Sequence, residues 1–115
     1  MENFLLLIRE DVRLQRTASV EQFSASIHAM TRWVEDLALS GNFISGEPLH
    51  TYGHYVTKDF VMSDGPFIEA KEAVSGYVLI RAENLDQAGG IAQNCPEVLK
   101  GRLAIEVRPI IGVVL

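Results

Sequence analysis

The sequence predicts an α+β fold of ferredoxin-like type, an antiparallel sheet carrying two helices on one face. Three observations lead there. Short β-prone runs are separated by only two helical patterns; each helical pattern opens on a residue able to cap it; and the order reads strand, helix, strand or hairpin, strand, helix, strand.

Residues 4–8 (Phe-Leu-Leu-Leu-Ile) are apolar without alternation, which marks a central strand covered on both faces. Ser19 stands three residues before Gln22, a capping box that satisfies free N–H groups and starts a helix near Val20. Val20, Phe23, Ile27, Met30, Val34 and Leu37 follow at spacings of three and four, laying one apolar stripe along that helix, and Gly41-Asn42 ends it. Phe43 and Ile44 resume extended structure before Gly46-Glu47-Pro48 turns the chain. Residues 54–56 and 60–62 flank Thr57-Lys58-Asp59 as a hairpin. Residues 69–73 read as a loop or a single turn, and 76–81 as a strand apolar on both faces. Asn84, three residues before Gln87, caps a second helix that runs to about Asn94 and is weakened by Gly89 and Gly90. The last strand, 103–109, alternates: Leu103, Ile105 and Val107 face the helices, and Ala104, Glu106 and Arg108 face away.

Two helices cover one face of such a sheet, yet two strands are apolar on both. A second copy packing sheet to sheet meets that need, so a homodimer enclosing a partly apolar space is expected.

The 115 residues form a single domain, with 48% hydrophobic residues for a core. The 10 Lys and Arg against 15 Asp and Glu give a net charge of -5 and no basic cluster, which argues against nucleic acid as a partner. The N-terminal apolar run, bracketed by Glu2 and Arg9, is too short for a secretory signal, and no stretch reaches the roughly 20 apolar residues of a membrane span. With Cys95 as the one cysteine, a disulfide or thiolate cluster is excluded and a cytoplasmic, reducing setting is expected.

Asp64-Gly65-Pro66-Phe67 joins a carboxylate, a permissive glycine, a rigid proline and an aromatic ring at a strand end. Asp64 is placed there either as a general base or as the first residue of a tight turn. Glu69, Lys71 and Glu72 follow, as the rim of a pocket or as a solvated loop. Glu106 and Arg108 share a strand face, where Arg108 can grip a carboxylate through paired hydrogen bonds or close a structural ion pair with Glu106. His50 and His54 flank Gly53 with no third ligand near, so no metal site is expected. His28, one residue past Ile27, points off the apolar stripe to the surface. Cys95 reads as a small buried hydrophobe. No phosphate loop or nucleophilic triad is present, and no cofactor is expected.

Asp64-Gly65-Pro66-Phe67, Glu69, Lys71-Glu72, Gly76-Tyr77, Cys95-Pro96 and Glu106-Val107-Arg108-Pro109 together resemble the DGPF branch of the YciI-like (YCII-related) family, with the motifs in the family's order. The resemblance spans nearly the whole chain, including the first strand and residues 41–49, and is strongest over 63–109. It implies a dimeric α/β barrel of two ferredoxin-like sheets. It also implies an acid/base role for Asp64, which in the family faces a histidine of the first helix. Counted back from Gly41, that histidine position falls nearer Met30, and His28 is two residues away.

The functional expectation is a homodimer that binds a small polar or anionic metabolite near Asp64. Arg108, Glu106, Glu72, Lys71 and Phe67 are its candidate ligand-binding residues, and isomerase- or lyase-like proton transfer is the enzymatic version. The resemblance supplies the alternative of a regulatory or interaction module linked to an extracytoplasmic-function sigma factor system. Residues 113–115, an apolar tail, are a candidate docking segment for such a partner.

Overall fold

The computed structural model describes residues 1–11, 13, 17–50, 52–63 and 72–112. Its elements are β1 (Glu2–Asp11), α1 (Val20–Leu39), β2 (Phe43–Pro48), β3 (Tyr55–Val56), β4 (Val61–Met62), β5 (Glu72–Ala82), α2 (Leu85–Gln93), α3 (Pro96–Leu99) and β6 (Leu103–Pro109). Four strands form one antiparallel sheet in the order β2-β5-β1-β6, which is the ferredoxin-like arrangement; among the described residues β3 and β4 pair only with each other.

β1 is central, between β5 and β6, as its apolar run predicts. Phe4, Leu6 and Ile8 are buried and oppose Ile80, Val78 and Gly76 of β5. These side chains meet Trp33 and Leu37 of α1, Ala88 and Ala92 of α2, and Cys95 in one core. Burying each large aliphatic side chain is worth about 1.5–3 kcal/mol. Leu5, Leu7 and Leu79 point to the opposite face, where they stay half-buried with no helix over them among the described residues.

The caps form as the spacing predicts. The Ser19 side chain accepts from the Gln22 N–H while the Gln22 side chain accepts from the Ser19 N–H, and Asn84 accepts from the Gln87 N–H. Gly41 takes φ 80 after α1, a conformation that a side chain would strain.

Four elements depart from expectation. The stripe of α1 packs only through its C-terminal half: Leu37 is buried, together with Trp33, which the stripe does not include, and Met30 and Val34 are partly buried, whereas Val20, Phe23 and Ile27 are 85%, 52% and 50% exposed. Periodicity fixes which side of a helix is apolar, but not how far along its length the sheet reaches. Gly46-Glu47-Pro48 belongs to β2 rather than to a turn, since an edge strand tolerates a proline at its end. β5 begins at Glu72, earlier than residue 76, and α3 is an additional one-turn helix with Pro96 in its first turn. Among the described residues no helix is long and apolar enough to cross a membrane.

Candidate functional site

Two surfaces of the sheet carry organised polar groups. On the helix-free face, Glu106 of β6 accepts from Arg9 Nε at 3.1 Å and from Arg108 Nη1 at 3.0 Å, and Arg9 Nη2 lies 2.9 Å from its Oε1. These bonds, Arg108 first and Arg9 second, hold the Glu106 carboxyl below its ordinary range. Leu7 opposes Glu106 and Leu5 opposes Arg108 across the β1–β6 pairing, so the charged cluster borders the uncovered leucines. On the far edge Tyr77 donates to Glu47 at 3.3 Å, and the Glu47 charge, ahead of burial, raises the phenol above its usual value.

The second surface is a cleft of about 890 Å³ under the N-terminal half of α1, where the helix overhangs the end of the sheet. Phe23, Ile27, Met30 and Val34 form its apolar wall, with Ile8 and Val78 below. Gly46 also lines it, and a Cβ there would sit 2.9 Å from the Tyr77 carbonyl oxygen, so only glycine lets β2 and β5 approach this closely. The polar end of the cleft is built by Glu10, Ser75, Glu97 and Arg102.

Glu10 follows the β1 alternation onto the helix side, opposite Leu103. Burial raises its pKa; a hydrogen bond from Ser75 works against that shift, and the charge of Glu97 adds to it. Glu97, on α3, is 1% exposed. Its Oε1 has no hydrogen-bond partner among the described residues: Lys100 Nζ lies 3.7 Å away, and Arg102 Nη1 is 3.9 Å from Oε2. Cys95 donates to Met30 Sδ at 3.4 Å and packs fully buried in the core, and burial pushes its thiol pKa up, away from the thiolate form.

Asp64, Phe67 and Lys71, together with residues 113–115, lie outside the described residues. Glu72 opens β5 opposite Asp11, three residues before Ser75 of the cleft, and its side chain also lies outside the described set. Arg108 and Glu106 are brought together, on the face expected for them, and do not line the cleft. His50 stacks on Tyr52 with ring centroids 4.8 Å apart, and His54 Nδ1 is 3.0 Å from Ser63 Oγ.

Glu10, Glu97 and Arg102 are the cleft residues that sequence reasoning missed. The signal for Glu10 was its phase: two residues beyond Ile8, it continues the buried face of β1 as a carboxylate. Glu97 gave no periodic signal, because four helical residues make no stripe.

The YCII-related domain matches residues 4–113. This chain belongs to the YCII-related family. Among solved structures it is similar to 5-chloro-2-hydroxyhydroquinone dehydrochlorinase (TftG) from Burkholderia phenoliruptrix AC1100 in complex with 2,5-dihydroxybenzoquinone. The TM-score is 0.54 at 21% identity, over 92% of this chain and 90% of that chain, a likeness of fold. No curated protein matches the sequence. In this YCII-related chain, Met30, the residue nearest the family's helix histidine, lines the cleft, whereas His28 is exposed beside a separate groove with Arg32 and Asp36.

Proposed function

We propose that this YCII-related protein is a cytoplasmic homodimer of single-domain chains that binds a small organic molecule in the cleft beneath α1 and acts on it by proton transfer. The cleft carries the reading: about 890 Å³ falls within the roughly 300–1,000 Å³ of small-molecule sites, and apolar walls ending in a few polar groups are how such sites bind and orient. Asp64 is the proposed base, with Phe67, Lys71 and Glu72 from the same segment at the ligand. Glu10, whose pKa is raised by burial, supplies a second proton-carrying group, since a raised pKa moves a carboxyl toward acid chemistry closer to neutrality. Support for the reaction class comes from the structurally similar TftG, a dehydrochlorinase held with a dihydroxybenzoquinone. That chemistry belongs to TftG, and the proposal here is the wider class of isomerase- or lyase-like reactions without a cofactor.

The helix-free face supports the dimer. Leu5, Leu7 and Leu79, bordered by Arg9, Glu106 and Arg108, form an apolar centre with a charged rim, and two sheets packed over it would close a dimeric α/β barrel. Arg108 and Glu106 would then face the enclosed space between subunits.

The test is a thermal-shift and turnover screen of wild type and Asp64→Asn against lactones, carboxylates and hydroxylated rings. A ligand at 100 times its dissociation constant adds about 2.7 kcal/mol, a shift of several degrees for a domain of this size. A response that persists unchanged in Asp64→Asn removes Asp64 from the site.

A second reading, a non-catalytic interaction module, rests on the β3–β4 hairpin. Tyr55, Val56, Phe60 and Val61 are 50–67% exposed there, apolar surface of the kind a protein partner covers. Polar replacements of Tyr55 and Phe60 that leave self-association and ligand response unchanged, and also capture of a sigma factor unchanged, would dismiss it.

A further inference from the structure

The polar end of the cleft has a chemical bias that its volume does not reveal. Glu10, Asp11 and Glu97 line it against Arg102 as the one guanidinium among the described lining residues, and Asp11 Oδ1 lies 3.6 Å from Arg13 Nε. A buried carboxylate oxygen, Glu97 Oε1, accepts no hydrogen bond among the described residues. Lys100 Nζ pairs with that oxygen only at 3.7 Å, beyond hydrogen-bond distance, so a donor brought within bonding distance gains a hydrogen bond that the free protein forgoes. An anionic group gains nothing comparable: it would be placed beside the carboxyl groups of Glu10 and the buried Glu97, where like charges repel.

We infer that the cleft selects ligands with an apolar body and a hydrogen-bond-donating head, hydroxyl or ammonium, and rejects carboxylates. Phe23, Ile27 and Met30 hold the body, while Glu10 and Glu97 receive the head. The inference rests on the cleft being the binding site and narrows its ligand class, keeping the polar and dropping the anionic alternative of the polar or anionic metabolite expected from the sequence. The direction of the Glu10 shift agrees with it, because burial and the Glu97 charge already disfavour one negative charge there, and an anionic ligand would add another. Among the described residues the cations paired with Glu97 are Lys100 and Arg102, at 3.7 and 3.9 Å; their side chains are 56% and 47% exposed, so solvent screens the pull of both on an anion.

The experiment uses three probes sharing one phenyl ring: benzyl alcohol, benzylamine and benzoate. Each is titrated into the wild-type protein while the methyl resonances of Ile27 and Met30 are followed by NMR. The expected result is that at least one donor probe shifts these resonances with an affinity about tenfold or more above that of benzoate, the size expected for one hydrogen bond to a charged group. Glu97→Gln and Glu10→Gln, each close in shape to wild type, should narrow that gap by admitting benzoate. Benzoate binding as tightly as the donor probes, with the same resonances shifting, overturns the selectivity while the cleft remains a binding site. No shift at Ile27 or Met30 with any probe removes the cleft reading and the inference with it. The wild-type series decides the matter even where a variant fails to fold.

Discussion

Arg9 and Glu106 stand 97 residues apart in the chain and meet on the helix-free face, Nη2 to Oε1 at 2.9 Å, with Arg108 closing on the other carboxylate oxygen at 3.0 Å. The cluster flanks Leu5 and Leu7, which no helix or strand among the described residues covers. A charged border around an apolar strip is the anatomy of an interface, in which the border sets register and the strip supplies affinity.

If two sheets pack over this strip, a charge at its centre must separate them. Leu7→Arg is then expected to keep its circular-dichroism spectrum and to sediment at the monomer mass of 12.7 kDa, with wild type expected at twice that value. A wild type that is already monomeric at micromolar concentration would dismiss the packed-sheet arrangement.

Glu10 should give stability a pH dependence of definite sign. Its pKa is raised in the fold above the ordinary 4.5 by burial and by Glu97, so the folded chain holds that proton more tightly than the unfolded chain. The stabilisation is complete below the unfolded value and is lost as pH rises through the folded one. Glu10→Gln therefore matches wild type in acid and exceeds it at neutral pH, as urea titrations at a series of pH values will show.

At Gly46 a methyl group would meet backbone, 2.9 Å from the Tyr77 carbonyl oxygen and 3.2 Å from the Val78 Cα. Neither can rotate aside, so Gly46→Ala is expected to cost about 1–3 kcal/mol in urea unfolding, the range for overpacking a tight site. Because Gly46 also lines the cleft, ligand affinity should fall with it.

The capping box at Ser19 secures the end of α1 that overhangs the cleft. Ser19→Ala should cost about 0.5–2 kcal/mol and speed amide exchange over the first turns of α1 more than near Leu37. Uniform exchange along the helix would show that the overhang is held by something other than its cap.

The sequence by itself determined the elements whose cause is local. Ser19 with Gln22 and Asn84 with Gln87 start helices because their side chains reach N–H groups three residues on. The run at residues 4–8 becomes the central strand because it is apolar on both sides, and 103–109 becomes a strand through its alternation. Hydrophobic phase also assigned Glu106 and Arg108 to the helix-free face, and the order of elements identified the fold. Only the tertiary structure decided where α1 leaves the sheet, since all six stripe residues look alike in sequence while the sheet's length sets which of them are buried. It alone brought Glu10 to Glu97 on a one-turn helix too short to carry a pattern, and Gly46 to the Tyr77 carbonyl on a neighbouring strand. Local signals fix what each segment becomes; the cleft exists because segments distant in sequence fail to pack completely against one another, a property that no single segment encodes.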